Sequence, residues 1–202
     1  GFEIKDLYNW IIENNLHDRV YLIGAGYENS YVDKYIYEEP EATIFRNAKI
    51  ITGRTKKTPE FIPKLNLPYH HINCPAILSV KDVKYIPPGK KIKKIGFSIQ
   101  LPHETGVLNH CCAEKMYKLS VEILKELKDK YDIDIIGHHK TEYFHFLNLF
   151  DGTVPVIFSS YYQDLFDIYP KYDLFITTRL HSSLFANGHG IPGIILNDTD
   201  RH

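Results

Sequence analysis

The sequence is short of sulfur and has almost no excess of charge. Three cysteines, Cys74, Cys111 and Cys112, are odd in number and two are adjacent. They make no disulfide framework and fit a reducing compartment. Lysine and arginine number 24 against 25 acidic residues, so no global field draws the chain to nucleic acid or an anionic membrane. No apolar run approaches the roughly 18 residues that span a bilayer, and no signal peptide is visible. A cytoplasmic location is therefore expected. Residue 1 is Gly and the only methionine is Met116, so the natural start is expected to lie elsewhere.

Several familiar motifs are missing too. Gly24-Ala25-Gly26 follows an apolar run, but the dinucleotide fingerprint needs a third glycine where Asn29 stands. A turn requiring small residues is the simpler reading. The P-loop pattern is absent, and "HSS" around Ser182 is not a nucleophile elbow. The eleven histidines invite a metal reading, yet their spacing argues against one. His103, His110, Cys111 and Cys112 fit zinc spacings poorly, and the neighbours His138-His139 and His70-His71 point to opposite faces on a strand. Neither a metal nor a cofactor is called for.

What the sequence does have is alternation. "IKDLYNWIIENNL" carries helical spacing, "RVYLIGAG" reads as a buried strand, "EATIFRNAK" as a helix and "IITG" as a strand ending before Arg54. "TPEFIPKL" is an expected helix and "YHHIN" an expected strand. "VKDVKYIPPGKK" breaks the pattern with Pro87, Pro88 and Gly89 and reads as a linker. A second series follows: "IKKIGFSIQ" as a strand, then a helix over "AEKMYKLSVEILKELKDKY" with Met116, Leu119, Ile123, Leu124 and Leu127 on one face. "DIDIIGHH", "VPVIF", "DLFITT" and "PGIILN" are expected strands. "EYFHFLNLF", "YQDLFDIYPKY" and "HSSLFANGHG" are expected helices between them. The fold class is therefore α/β with parallel sheets. Residues 1–80 are expected to form a partial Rossmann-like domain, 81–91 a linker and 92–202 a second Rossmann-like domain.

In such a fold, chemistry gathers at the carboxyl ends of strands. Arg54 ends one strand and Arg179 another, and a guanidinium fork suits a carboxylate or phosphate. Arg179 also stands at a helix start, where free N–H groups near His181 and Ser182 would add to an anion site. His181 could serve there as a general acid, or it could merely cap the helix, and spacing leaves that choice open. Asp198, Asp200 and Arg201 fall after the last strand, beside Arg179 in this scheme.

"DLFITTRLHSSLFANGHGIPGIILNDTDRH" resembles the C-terminal signature of the polysaccharide pyruvyl transferase family, through Asp173, Arg179-Leu180-His181, Ala186, Gly190, Pro192, Asp198 and Arg201. "YLIGAG", "RNAKIITGRT" and "HINCPAIL" are similar to family segments more weakly. The resemblance implies a GT-B-like pair of Rossmann-type domains facing a cleft. It implies phosphoenolpyruvate as donor, a saccharide acceptor and a pyruvate ketal on a cell-surface glycan as product. Its RLH motif falls on Arg179 and His181, and its first-domain arginine on Arg54. Arg201 stands where a lysine is usual, and Gln100 where an arginine is expected. The family's Asn- and Gly-rich opening and first strand are missing, so the first domain is expected to be incomplete.

This resemblance gives His181 the role of general acid. Donor binding falls to Arg54, Arg179, Ser182 and Arg201, with no metal or cofactor required. Two rivals remain: a GT-B glycosyltransferase using a nucleotide sugar, and a non-catalytic glycan- or anion-binding remnant.

Overall fold

The computed structural model describes residues 4–25, 39–53, 69–72, 74–78, 89, 91–104 and 110–196. The expected helix over 58–65 and most of the expected linker lie outside these residues. The chain divides into two compact units, Gly1–Pro75 and Ala76–His202.

In the first unit, α1 (Ile4–Glu13) precedes a short 3-10 turn, β1 (Tyr21–Ala25), α2 (Glu41–Asn47), β2 (Ile50–Gly53) and β3 (Tyr69–His71). The three strands form one parallel sheet in the order β1-β2-β3. Ala48 and Ile51 are its buried centre, with Val20, Leu22 and Phe45 packed against them. Gly24 has φ +69°, and a Cβ there would come within 2.7 Å of the Pro75 ring. The need for a small residue therefore holds at this glycine, but it lies inside β1, where the register with β2 is irregular, and not in a turn.

The second unit alternates strand and helix throughout. Its elements are β4 (Lys94–Ser98), α3 (His110–Leu127), β5 (Asp132–Gly137), α4 (Lys140–Leu149), β6 (Val156–Phe158), α5 (Leu165–Ile168), β7 (Leu174–Thr177), α6 (Leu180–Gly188) and β8 (Gly193–Ile195). All five strands are parallel, in the order β6-β5-β4-β7-β8. The chain walks outward from β4 to β6, then returns to the other side of β4 for β7 and β8. The reversal between β4 and β7 is the Rossmann-type switch point, and ligands of such sheets bind beyond the carboxyl ends of the strands there.

Both faces of this sheet are covered, which is why its strands read as near-continuous apolar runs. One core joins Ile95, Phe97, Ile133 and Ile135 to Val121 and Leu124 of α3 and Phe146 of α4. The other joins Ile136, Phe175 and Ala186 to Tyr169 and Tyr172. The two-residue period of β5 sorts Ile133 and Ile135 to one side and Ile136 to the other.

Two expectations are corrected. Leu119 is 46% exposed and lies off the core face of α3. That face runs through Ala113, Tyr117, Ser120, Val121 and Leu124. At 3.6 residues per turn, Leu119 sits roughly 200° round the helix from Val121. "YQDLFDIYPKY" is not one helix but a 3-10 turn, the single turn of α5 and a second 3-10 turn, Tyr169–Lys171. Pro170 has no N–H to continue a helix, and Tyr169 and Tyr172 on either side of the Pro170-Lys171 pair turn into the core. Among the described residues, no helix is long and apolar enough to cross a membrane.

Candidate functional site at the carboxyl ends of the second sheet

Two loops are stitched together at the switch point. The Thr178 N–H donates to the Ser98 carbonyl at 3.0 Å. The Gln100 N–H donates to Thr178 Oγ1 at 2.8 Å. Ser98 is fully buried, and its hydroxyl has no hydrogen-bond partner among the described residues.

Arg179 follows at the end of β7. Its backbone is extended, φ −104° and ψ 121°, and it is the N-cap of α6. Its N–H donates back to Thr177 Oγ1 at 2.9 Å. The first helical bond of α6 runs from the Ser183 N–H to the Arg179 carbonyl, 3.2 Å. The N–H groups of Leu180, His181 and Ser182 precede that bond and carry the positive end of the helix dipole. The cap is thus Arg179, not His181. His181 stands exposed on the first turn of the helix.

The far end of α6 is as the sequence suggested. Gly190 takes φ +74°. Its N–H reaches the Asn187 carbonyl at 2.9 Å, and the Ile191 N–H reaches Ala186 at 3.0 Å. That is a Schellman motif, with glycine at its left-handed position.

Beneath the loops lies a polar cluster that sequence reasoning did not assemble. The Arg179 side chain is 16% exposed, and its Nη2 pairs with Oε1 of Glu142, which has no exposed surface. The other carboxylate oxygen, Oε2, accepts the N–H of His138 at 2.7 Å and of His139 at 3.2 Å. Glu142 therefore ties the end of β5 to the end of β7. His138 follows β5, and its Nε2 lies 3.0 Å from Ser182 Oγ and 3.4 Å from the Tyr169 hydroxyl. Burial, and then the charges of Arg179 and His139, lower the His138 pKa from 6.5 to about 4. His138 is therefore neutral near pH 7. Burial also raises the Tyr169 phenol, so it stays protonated as a hydroxyl.

The structure thus gathers Arg179, His181 and Ser182 on one loop and helix turn. Ser182 is only 3% exposed, and its hydroxyl is engaged with His138. Arg54, Arg201, Asp198 and Asp200 lie outside the described residues. His138 and Glu142 were missed, although weak signals existed. Strand alternation puts His138 on the side of Ile136, and "HHKTE" places Glu142 third after the helix cap, where a capping box has its acid. Among the described residues, no group of three or more His, Cys, Asp or Glu side chains could hold a metal ion.

A strand-end arginine, a histidine on the next helical turn and the positive end of a helix form a site suited to an anion beside a proton donor. The polysaccharide pyruvyl transferase family model matches residues 1–200. The chain belongs to the polysaccharide pyruvyl transferase family. The match takes in both compact units and the whole RLH segment. No curated protein matches the sequence. Family membership makes this a pyruvyl transferase enzyme, with a saccharide as the implied acceptor.

Proposed function

We propose that the protein transfers pyruvate from phosphoenolpyruvate to a pair of sugar hydroxyls on a glycan destined for the cell surface, forming a ketal. The work is done in the cytoplasm, by a fold of GT-B type. Phosphoenolpyruvate carries a phosphate and a carboxylate. Arg179 and the N-terminal N–H groups of α6, that of Ser182 among them, receive these anions, together with Arg54 and Arg201; the Ser182 hydroxyl stays with His138. His181 protonates the methylene carbon, which becomes the methyl group. The cation that develops at C2 is captured by one hydroxyl. The C–O bond to phosphate then breaks, and the second hydroxyl closes the ketal. Of the two hydroxyl protons, one balances the methyl group and the other leaves with phosphate.

The observation that carries this reading is the placement of Arg179 and His181 on one loop and helix turn, at the switch point of the parallel sheet, in a chain of this family. The neutral state of His138 supports it as well. A histidine that acts as general acid must carry its extra proton near working pH, so the buried, neutral His138 is unsuited to the task, and the role is assigned to His181 on the first turn of α6.

The test uses the full protein with phosphoenolpyruvate and a panel of glycans. Released phosphate and a pyruvyl mass shift are measured together. His181→Ala is expected to lower kcat by about 10²–10⁴-fold, the usual weight of a general acid. Full transfer by that variant would falsify the assignment.

A further inference from the structure

The chemistry above leaves Glu142 unused, although it is a fully buried carboxylate directly against Arg179. A carboxylate is kept away from water only when both oxygens are satisfied, and here they serve two different groups. Oε2 holds the backbone N–H groups of His138 and His139, the second of these being the return bond of a capping box. Glutamine serves a capping box as well as glutamate does. Oε1 faces the Arg179 guanidinium, which is always positive. Only that second contact needs a negative charge, so Glu142→Gln separates the two.

The geometry matters because of where it acts. In the sheet, β5 and β7 lie on either side of β4. The Glu142–Arg179 pair therefore links the two strands that flank the end of β4, at the order reversal. An unpaired arginine has several flexible torsions to fix on binding a ligand, whereas one tied at an Nη atom has lost most of that freedom already.

We infer that Glu142 is a positioning residue whose charge fixes the orientation of Arg179 for an incoming phosphate- or carboxylate-bearing donor. This rests on the proposed reading of Arg179 as an anion ligand. Glu142 touches no substrate and acts through the arginine.

A double-mutant cycle on the full protein tests it. Glu142→Gln, Arg179→Lys and the double variant are compared for KM and kcat with phosphoenolpyruvate. Glu142→Gln is expected to raise KM about tenfold, with a smaller change in kcat, a coupling of the size found within one ion-pair network. The double variant is expected to fall within about twofold of Arg179→Lys alone, because both changes remove the same arrangement. Additive losses, or a Glu142→Gln enzyme with wild-type KM, overturn the inference. Circular dichroism checks the fold. Should Glu142→Gln fail to fold, Glu142→Asp takes its place, keeping the charge and shortening its reach, and the same non-additivity is expected.

The same cycle is then read on the dissociation constant of inorganic phosphate, which needs no turnover. Coupling there in a protein that makes no ketal supports the positioning role while sinking the reaction. No phosphate binding by the wild type, or additive effects on it, overturns the positioning role itself.

Discussion

At the scale of single residues, His138 makes the protein sensitive to acid. Its pKa is about 4 in the folded protein against 6.5 ordinarily. Because the folded value is depressed, the unfolded chain binds the proton more readily. The contribution of this group to stability is full above pH 6.5 and is lost as pH drops towards 4. Over that window the loss from this one group is about 3 kcal/mol, on the scale of 1.4 kcal/mol per pKa unit. Arg179, His139, Glu142, Tyr169 and Ser182 all face the ring or its backbone. Of these, Arg179 and His139 oppose its protonation. Melting curves at pH 7 and pH 4.5 check the sign. His138→Gln is expected to lose less on acidification than the wild type. An equal loss in both proteins would show that other groups carry the acid response.

At the scale of elements, the core face of α3 can be tested directly. Leu124 is fully buried and Leu119 is 46% exposed, though both are leucines five residues apart in one helix. Leu124→Ala is expected to cost about 2–5 kcal/mol by leaving a cavity. Leu119→Gln should change stability by no more than about 0.5 kcal/mol. Urea unfolding of the two variants decides between the face seen in the structure and the face suggested by counting apolar residues. The end of α6 gives a second test. Gly190→Ala forces a Cβ into the left-handed region at a cost of roughly 1–2 kcal/mol, and should be read in the same urea experiment. The helix it terminates also presents His181, so a fall in transfer beyond the fall in folded fraction would mean that the far end of α6 also sets its start.

At the scale of the whole molecule, the choice is between donors. A GT-B glycosyltransferase would also hold phosphates at this end of the sheet. Phosphoenolpyruvate at about a hundred times its dissociation constant should stabilise the full protein by about 2.7 kcal/mol, visible as a raised Tm. A nucleotide sugar at the same concentration should leave Tm unchanged. The reverse result would move the protein to nucleotide-sugar chemistry, and a response to neither would favour the non-catalytic reading.

Much of this was legible along the chain. Local periodicity gave the strands from Lys94 to Ile195 and most of the helices between them, because alternation and helical spacing are properties of neighbouring residues. "TTRLH" marked the strand end and helix start that put Arg179 and His181 together, for the same local reason. Sequence alone also fixed the stop at Gly190, where φ +74° excludes most side chains. The partners were another matter. Glu142 meets Arg179 across 37 residues, and His138 meets Ser182 across 44. No spacing rule links such pairs. They arise because the sheet order places β5 and β7 on either side of β4, and the first turn of α6, leaving β7, reaches His138 beyond the end of β5. Burial then turns a histidine neutral and an acid into a tether. The sequence determined which groups the site could contain, while the tertiary structure decided which of them are charged, held or exposed, because only packing sets solvent exposure and long-range distance.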